Sequence, residues 1–258
     1  MVNWFVSGIG RVCDKHGPYR ARRWVLPGDS SIESACPDCR DEMDAARRKT
    51  TREAALFDFR LKLAAAGIGP RYYGASFDNY RTTREEAART LAILRDYSEK
   101  FDPRRSPNLI MWGKTGYGKT HLACAVARSL ILNGFTVTYL PVLTMFSQYQ
   151  DIASYANKND DSRESFFARL RAPDMLILDE FGITSMTSKE QIVFHRVIDE
   201  RYNRKAPICL VGNTDVFEFS QLIGERADRR VMADAEVLPF NWPNESPNYD
   251  LFGSEAGA

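Results

Sequence analysis

The residues Gly113-Lys114-Thr115-Gly116-Tyr117-Gly118-Lys119-Thr120 fit G-x-x-x-x-G-K-[ST], a spacing that can cradle phosphate. Glycines let the backbone curl until successive N–H groups point inward, and a following helix adds its positive pole. Lys119 brings a charge for the β- and γ-phosphates of a nucleotide, and the Thr120 hydroxyl is placed to ligate Mg²⁺. Sixty residues after Lys119, the apolar run Met175-Leu176-Ile177-Leu178 ends in Asp179-Glu180. A buried strand that ends in two carboxylates puts them where open α/β sheets bind ligands. Asp179 would hold Mg²⁺, directly or through water, and Glu180 would orient and polarise an attacking water. Asn213, at the end of a further apolar run from Ile208, is placed to contact the γ-phosphate or its water.

A second constellation lies near the N-terminus. Cys13-x2-His16 and Cys36-x2-Cys39 offer three thiolates and one imidazole, a set suited to tetrahedral Zn²⁺. Two closely spaced pairs favour metal over a disulfide, and such a zinc would be structural, holding a segment too small for its own core. Cys124 and Cys209 fall in helix and strand patterns and read as small buried apolar residues.

The elements that must position these groups are legible as three blocks. Residues 1–40 read as a loop-like zinc-binding module and residues 41–66, rich in Ala, Arg and Glu, as one long helix ended by Gly67-Ile68-Gly69-Pro70. On that helix Met43, Ala46, Thr50, Ala54, Phe57, Leu61 and Ala64 form a seam for a partner helix. From residue 80 to 240 helical patterns alternate with short apolar runs, which predicts an α/β fold with a parallel sheet. The strand candidates are 108–112, 136–140, 175–178, 208–212 and 236–240, and Thr82 or Thr83 with Glu85 or Glu86 predicts a capping box. The segment 142–171 mixes Phe146, Tyr149, Tyr155, Phe166 and Phe167 with Lys158, Arg163, Arg169 and Arg171, a composition able to stack bases and track phosphates.

Of the 258 residues 44% are hydrophobic and 27% charged, which excludes wholesale disorder, a collagen-like repeat and a disulfide scaffold. No apolar run approaches the roughly 18 residues of a membrane span, and Met1-Val2-Asn3-Trp4-Phe5 lacks the start of a signal peptide, so a cytoplasmic protein is expected. The net charge of +1 divides into −5 from Asp234 onward and +6 before it, a mildly basic body with an acidic tail over residues 243–258.

From about Gly67 to Trp242 the residues resemble the DnaC-type helicase loaders, a branch of the AAA+ P-loop ATPases that includes the transposition helper IstB. The likeness rests on Gly67-Ile68-Gly69-Pro70, Ser76-Phe77-Asp78-Asn79-Tyr80-Arg81, the phosphate loop running into His121-Leu122-Ala123, Leu176–Gly182, Gly212-Asn213-Thr214, Gly224-Glu225-Arg226, Asp228-Arg229 and Phe240-Asn241-Trp242. The resemblance implies a five-stranded parallel sheet over residues 67–242, with the Asn213 strand between those of Gly113 and Asp179. It implies ATP as the nucleotide, Asn213 as the sensor residue, and Phe77 and Tyr80 near adenine. Arg229 would be the finger reaching a neighbour's nucleotide, with Arg230 its rival because the spacing there is one residue short. It further implies an ATPase that loads a replicative hexameric DNA helicase onto single-stranded DNA, self-associating when assembled with ATP or partner. The alternative is an IstB-like helper that binds DNA and activates a transposase. The Arg that the family usually carries after Phe240-Asn241-Trp242 is missing, so hydrolysis is expected to be weak or partner-dependent.

Overall fold

The computed structural model describes residues 6–25, 31–155, 160–182 and 186–242. The leader reading of residues 1–5, the acidic tail 243–258 and Lys158 lie outside the described residues. Two compact units are present, Met1–Arg60 and Leu61–Ala258.

In the first unit, residues expected to be loop-like form a three-stranded antiparallel sheet of β1 (Val6–Cys13), β2 (Gly17–Val25) and β3 (Ser31–Glu33). Charge, rather than an alternating apolar face, links its strands. Arg11 from β1 and Arg23 from β2 converge on Glu33 of β3 at 2.8 and 2.6 Å, and both guanidiniums hold that carboxyl down to about 2. Ala21 is fully buried.

Helix α1 (Pro37–Ala65) starts four residues earlier than expected, with Pro37 at its first position and Asp38 in its first turn. It ends where the sequence places the stop. Ile68 N–H donates to Leu63 O and Gly67 N–H to Ala64 O, the double bond of a Schellman cap. The seam residues Met43, Phe57 and Leu61 are exposed.

The second unit is built on five parallel strands: β4 (Asn108–Gly113), β5 (Val137–Pro141), β6 (Met175–Phe181), β7 (Ile208–Gly212) and β8 (Ala235–Phe240). Their order is β5-β6-β7-β4-β8, so the Asn213 strand does lie between those of Gly113 and Asp179. Every residue of β7 is buried, as a central parallel strand covered on both faces requires. The edges are β5, where Tyr139 N–H donates outward to Ala66 O and Pro141 ends the strand, and β8, which contains Pro239.

The intervening helices are α2 (Glu85–Glu99), α3 (Lys119–Leu132), α4 (Val142–Tyr155), α5 (Asp160–Arg171), α6 (Ser188–Asn203), α7 (Val216–Ile223) and α8 (Glu225–Met232). The capping box expected before α2 does not form. Arg84 occupies that N-cap and its N–H is taken by the Thr82 hydroxyl, whereas a full box closes α6 between Thr187 and Glu190. Arg201 of α6 is buried without a carboxylate. Its guanidinium donates to the carbonyls of Leu170, Pro173, Asp174 and Pro207, and burial lowers its pKa to about 10.

Candidate nucleotide site and metal cluster

The phosphate loop leaves β4 and enters α3, with Gly116 and Gly118 at φ of 92° and 80°, conformations that only glycine adopts at little cost. Lys119 is 6% exposed and its ammonium donates to Gly113 O and Lys114 O, both at 2.7 Å. Desolvation lowers its pKa to about 8, partly offset by the charge of Asp179. A buried cation held only by carbonyls fits an anionic ligand, and the curled loop beside it fits phosphate. Tyr80 also belongs here: its hydroxyl donates to Tyr117 O at 3.0 Å, and its ring lies 5.9 Å from that of His121. His121 Nε2 in turn bonds Ser76 O at 3.0 Å, fastening the Ser76–Tyr80 segment to α3. Phe77 is buried beneath the Arg95 guanidinium.

Opposite the loop, β6 carries Asp179 and Glu180 on a bulge, where these two residues stand against the single Val211 of β7. Glu180 has φ of 63°, a left-handed setting rare for a side-chain-bearing residue, and is exposed whereas Asp179 is 2% exposed. That strained turn separates the two roles: one carboxylate is kept in the wall and the other is released toward solvent. Both Asp179 oxygens are bonded, Oδ1 by Glu180 N–H and Oδ2 by the Tyr139 hydroxyl, each at 2.7 Å. Asn213 N–H donates to Phe181 O at 3.1 Å, which seats the Asn213 side of β7 next to the bulge. Thr120 and Asp179 are the residues able to hold Mg²⁺, which when bound would neutralise charge on a nucleotide's phosphates.

Tyr139 was not singled out by sequence reasoning. The signal was weak: a tyrosine in the middle of a strand, forty residues before Asp179 and brought beside it only by the β5–β6 register.

Arg229 is exposed and paired only with Glu225, one turn back on α8. Its rival Arg230 is engaged by Asp199 and lies 5.5 Å from the Tyr202 ring centroid. The expectation for 142–171 needs correcting. Phe146, Phe166 and Phe167 are buried and Tyr149 packs on the last two at 5.5 and 5.6 Å, so these aromatics form core and cannot stack bases. Arg171 is bound by Glu164 and Glu200, and Arg169 by Gln148.

In the first unit Cys13, His16, Cys36 and Cys39 bring their ligand atoms within 4.8 Å of one another. Cys13 Sγ to Cys39 Sγ is 3.5 Å, and His16 Nδ1 lies 3.8, 3.7 and 3.3 Å from Cys13, Cys36 and Cys39. Bonds of about 2.3 Å to sulfur and 2.0 Å to nitrogen give tetrahedral edges of roughly 3.5–3.8 Å, so the donor set fits one four-coordinate cation. The β1–β2 turn supplies the first pair and the start of α1 the second. The backbone N–H groups of Lys15 and His16 hold the Cys13 thiol down to about 6, which favours thiolate. His16 Nε2 sits 3.2 Å from Glu42 Oε1, the outer carboxylate that fixes a ligating imidazole in the Nδ1-binding tautomer.

Among the described residues no helix is long and apolar enough to cross a membrane. The replicative helicase loader DnaC of Escherichia coli K12 is 32% identical to this chain over 192 residues, 74% of this chain and 77% of DnaC. DnaC of Buchnera aphidicola from Acyrthosiphon pisum is 28% identical over the same length. Among solved structures, the DnaC helicase loader superposes with a TM-score of 0.61 at 20% identity, over 66% of this chain and 99% of that one. AMPPCP-bound DnaA from Aquifex aeolicus superposes with 0.55 at 18% identity, over 66% and 50%. These two share the fold of the second unit, a five-stranded parallel sheet with its helices. The sequence profile described as IstB-like ATP binding protein matches residues 40–237, which include the phosphate loop, the Asp179 bulge and Asn213, and the chain belongs to that family.

Proposed function

We propose that this protein is an ATP-dependent loader of a replicative DNA helicase onto single-stranded DNA. The observation that carries the reading is the similarity to DnaC across 77% of that loader, and the charge-ready phosphate site lies within the matched region. ATP binds at Gly113–Thr120, with Mg²⁺ at Thr120 and Asp179. Glu180 orients water, Asn213 senses the terminal phosphate, and Arg229 reaches the nucleotide of a neighbouring copy, so the active form is a homo-oligomer. The exposure of Arg229 and the engagement of Arg230 favour that choice of finger. Residues 1–40 form a structural Zn²⁺ module, and the exposed seam of the 41–66 helix engages the helicase. Single-stranded DNA is met through exposed cations rather than the buried aromatics of α4 and α5.

An IstB-like transposition helper is the second reading, favoured by the family description itself. Affinity purification of the full chain with ATP from its native cells decides between them. Recovery of a hexameric replicative helicase, lost on Phe57→Asp with Leu61→Asp, is the expected result; recovery of a transposase instead overturns it.

A further inference from the structure

The hydroxyl of Tyr139 has one bond, and it goes to the carboxylate that the reading above assigns to Mg²⁺. On the β5–β6 ladder Tyr139 faces Ile177, so its side chain lies on the same face as Asp179, two residues further on. Its oxygen is 2.7 Å from Asp179 Oδ2, and the ring is 8% exposed. With Glu180 N–H on Oδ1, the two donors fix the plane of a carboxylate that would otherwise rotate about its last bond.

The main chain of Tyr139 is held just as tightly. Its N–H donates to Ala66 O at 2.7 Å, and Gly67 crosses its carbonyl so closely that a Cβ there would lie 2.3 Å from the oxygen. Gly67 also has φ of 88°, a setting that disfavours any side chain. The chain leaving α1 is thereby bonded to the residue whose side chain orients Asp179.

We propose that Tyr139 is a positioning residue for the divalent cation at Asp179, and that the α1 exit at Ala66-Gly67 holds it in place. The proposal rests on the nucleotide-site reading and adds a member to that site. Tyr139 acts through the carboxylate and does not touch the nucleotide.

The test is Tyr139→Phe in the full chain, which keeps the ring and its packing. Fluorescent ATP-analogue binding is measured in EDTA and then titrated with Mg²⁺. Metal-free affinity and the melting transition should match wild type, while the Mg²⁺ concentration at half-effect should rise about tenfold, the usual scale for losing an outer partner of a metal ligand. In an Asp179→Asn background the same substitution should add nothing, because its effect passes through that carboxylate. An unchanged Mg²⁺ response in Tyr139→Phe, or an equal shift with and without Asp179, overturns the proposal. Failure of wild type to bind the analogue at all overturns the nucleotide-site reading instead.

Discussion

Lys119 makes nucleotide affinity depend on pH in a way that can be worked out beforehand. In the empty site burial holds its pKa at about 8 rather than the ordinary 10.5. A bound polyphosphate supplies the missing counter-charge and restores the higher value, so binding above pH 7 takes up a proton. At pH 8 half the molecules have a neutral Lys119, and uptake should be about half a proton per nucleotide, rising toward about one at pH 9. The apparent dissociation constant should rise about tenfold between pH 7 and pH 9, since only the charged fraction binds well. His121, whose pKa is lowered by burial, is already neutral across this window, and Tyr139 does not ionise in it. Calorimetric titration in buffers of different ionisation enthalpy reads the proton directly. Lys119→Arg should abolish the uptake, because a guanidinium keeps its charge. Flat affinity with no proton uptake from pH 7 to 9 would refute the buried-cation argument. The same shift has a second sign to check. The unfolded chain binds the proton up to pH 10.5 and the folded chain only to about 8, so nucleotide-free stability should rise with pH between those values.

Glu180→Gln should retain ATP and lower turnover by about 100-fold or more, while Lys119→Ala loses the nucleotide; phosphate release and equilibrium binding separate the two. Arg229→Ala should leave ATP affinity and melting temperature unchanged but remove any concentration-dependent hydrolysis, whereas Arg230→Ala, which takes from Asp199 the more buried of its two arginine partners and leaves it Arg226, should lower the melting temperature instead. Elemental analysis should find about one zinc per chain, lost in Cys36→Ser with Cys39→Ser, with ATP binding intact. Arg201→Met leaves three buried carbonyls and the half-buried one of Asp174 short of a donor and should destabilise the second unit by about 3–4 kcal/mol, read as a lowered midpoint in urea denaturation.

The parallel sheet was legible because each strand is a short apolar run bounded by turn residues, and the observed strands match the expected ones to within three residues at either end. The phosphate loop and Asp179-Glu180 were legible for a related reason: their chemistry depends on local spacing. What depends on partners distant in sequence was not. Arg11, Arg23 and Glu33 link the strands of a sheet within residues that read as loop-like, and no window of sequence shows that they meet. Tyr139 acquires a role only once β5 is laid beside β6. The aromatics of 142–171 looked like a stacking surface because composition does not say which face of a helix is covered. Arg201 was not singled out from the sequence, yet it ties α6 to the ends of α5, β6 and β7 through carbonyls that carry no sequence signal.

The two outer strands of the parallel sheet are guarded against pairing with an added strand. On β5 the Tyr139 N–H is already spent on Ala66 and Pro141 closes the strand, while on β8 Pro239 offers no N–H at all. Both devices interrupt the row of free backbone groups by which exposed strands template an incoming chain. The parallel sheet is thereby kept to its five strands instead of extending through an added one.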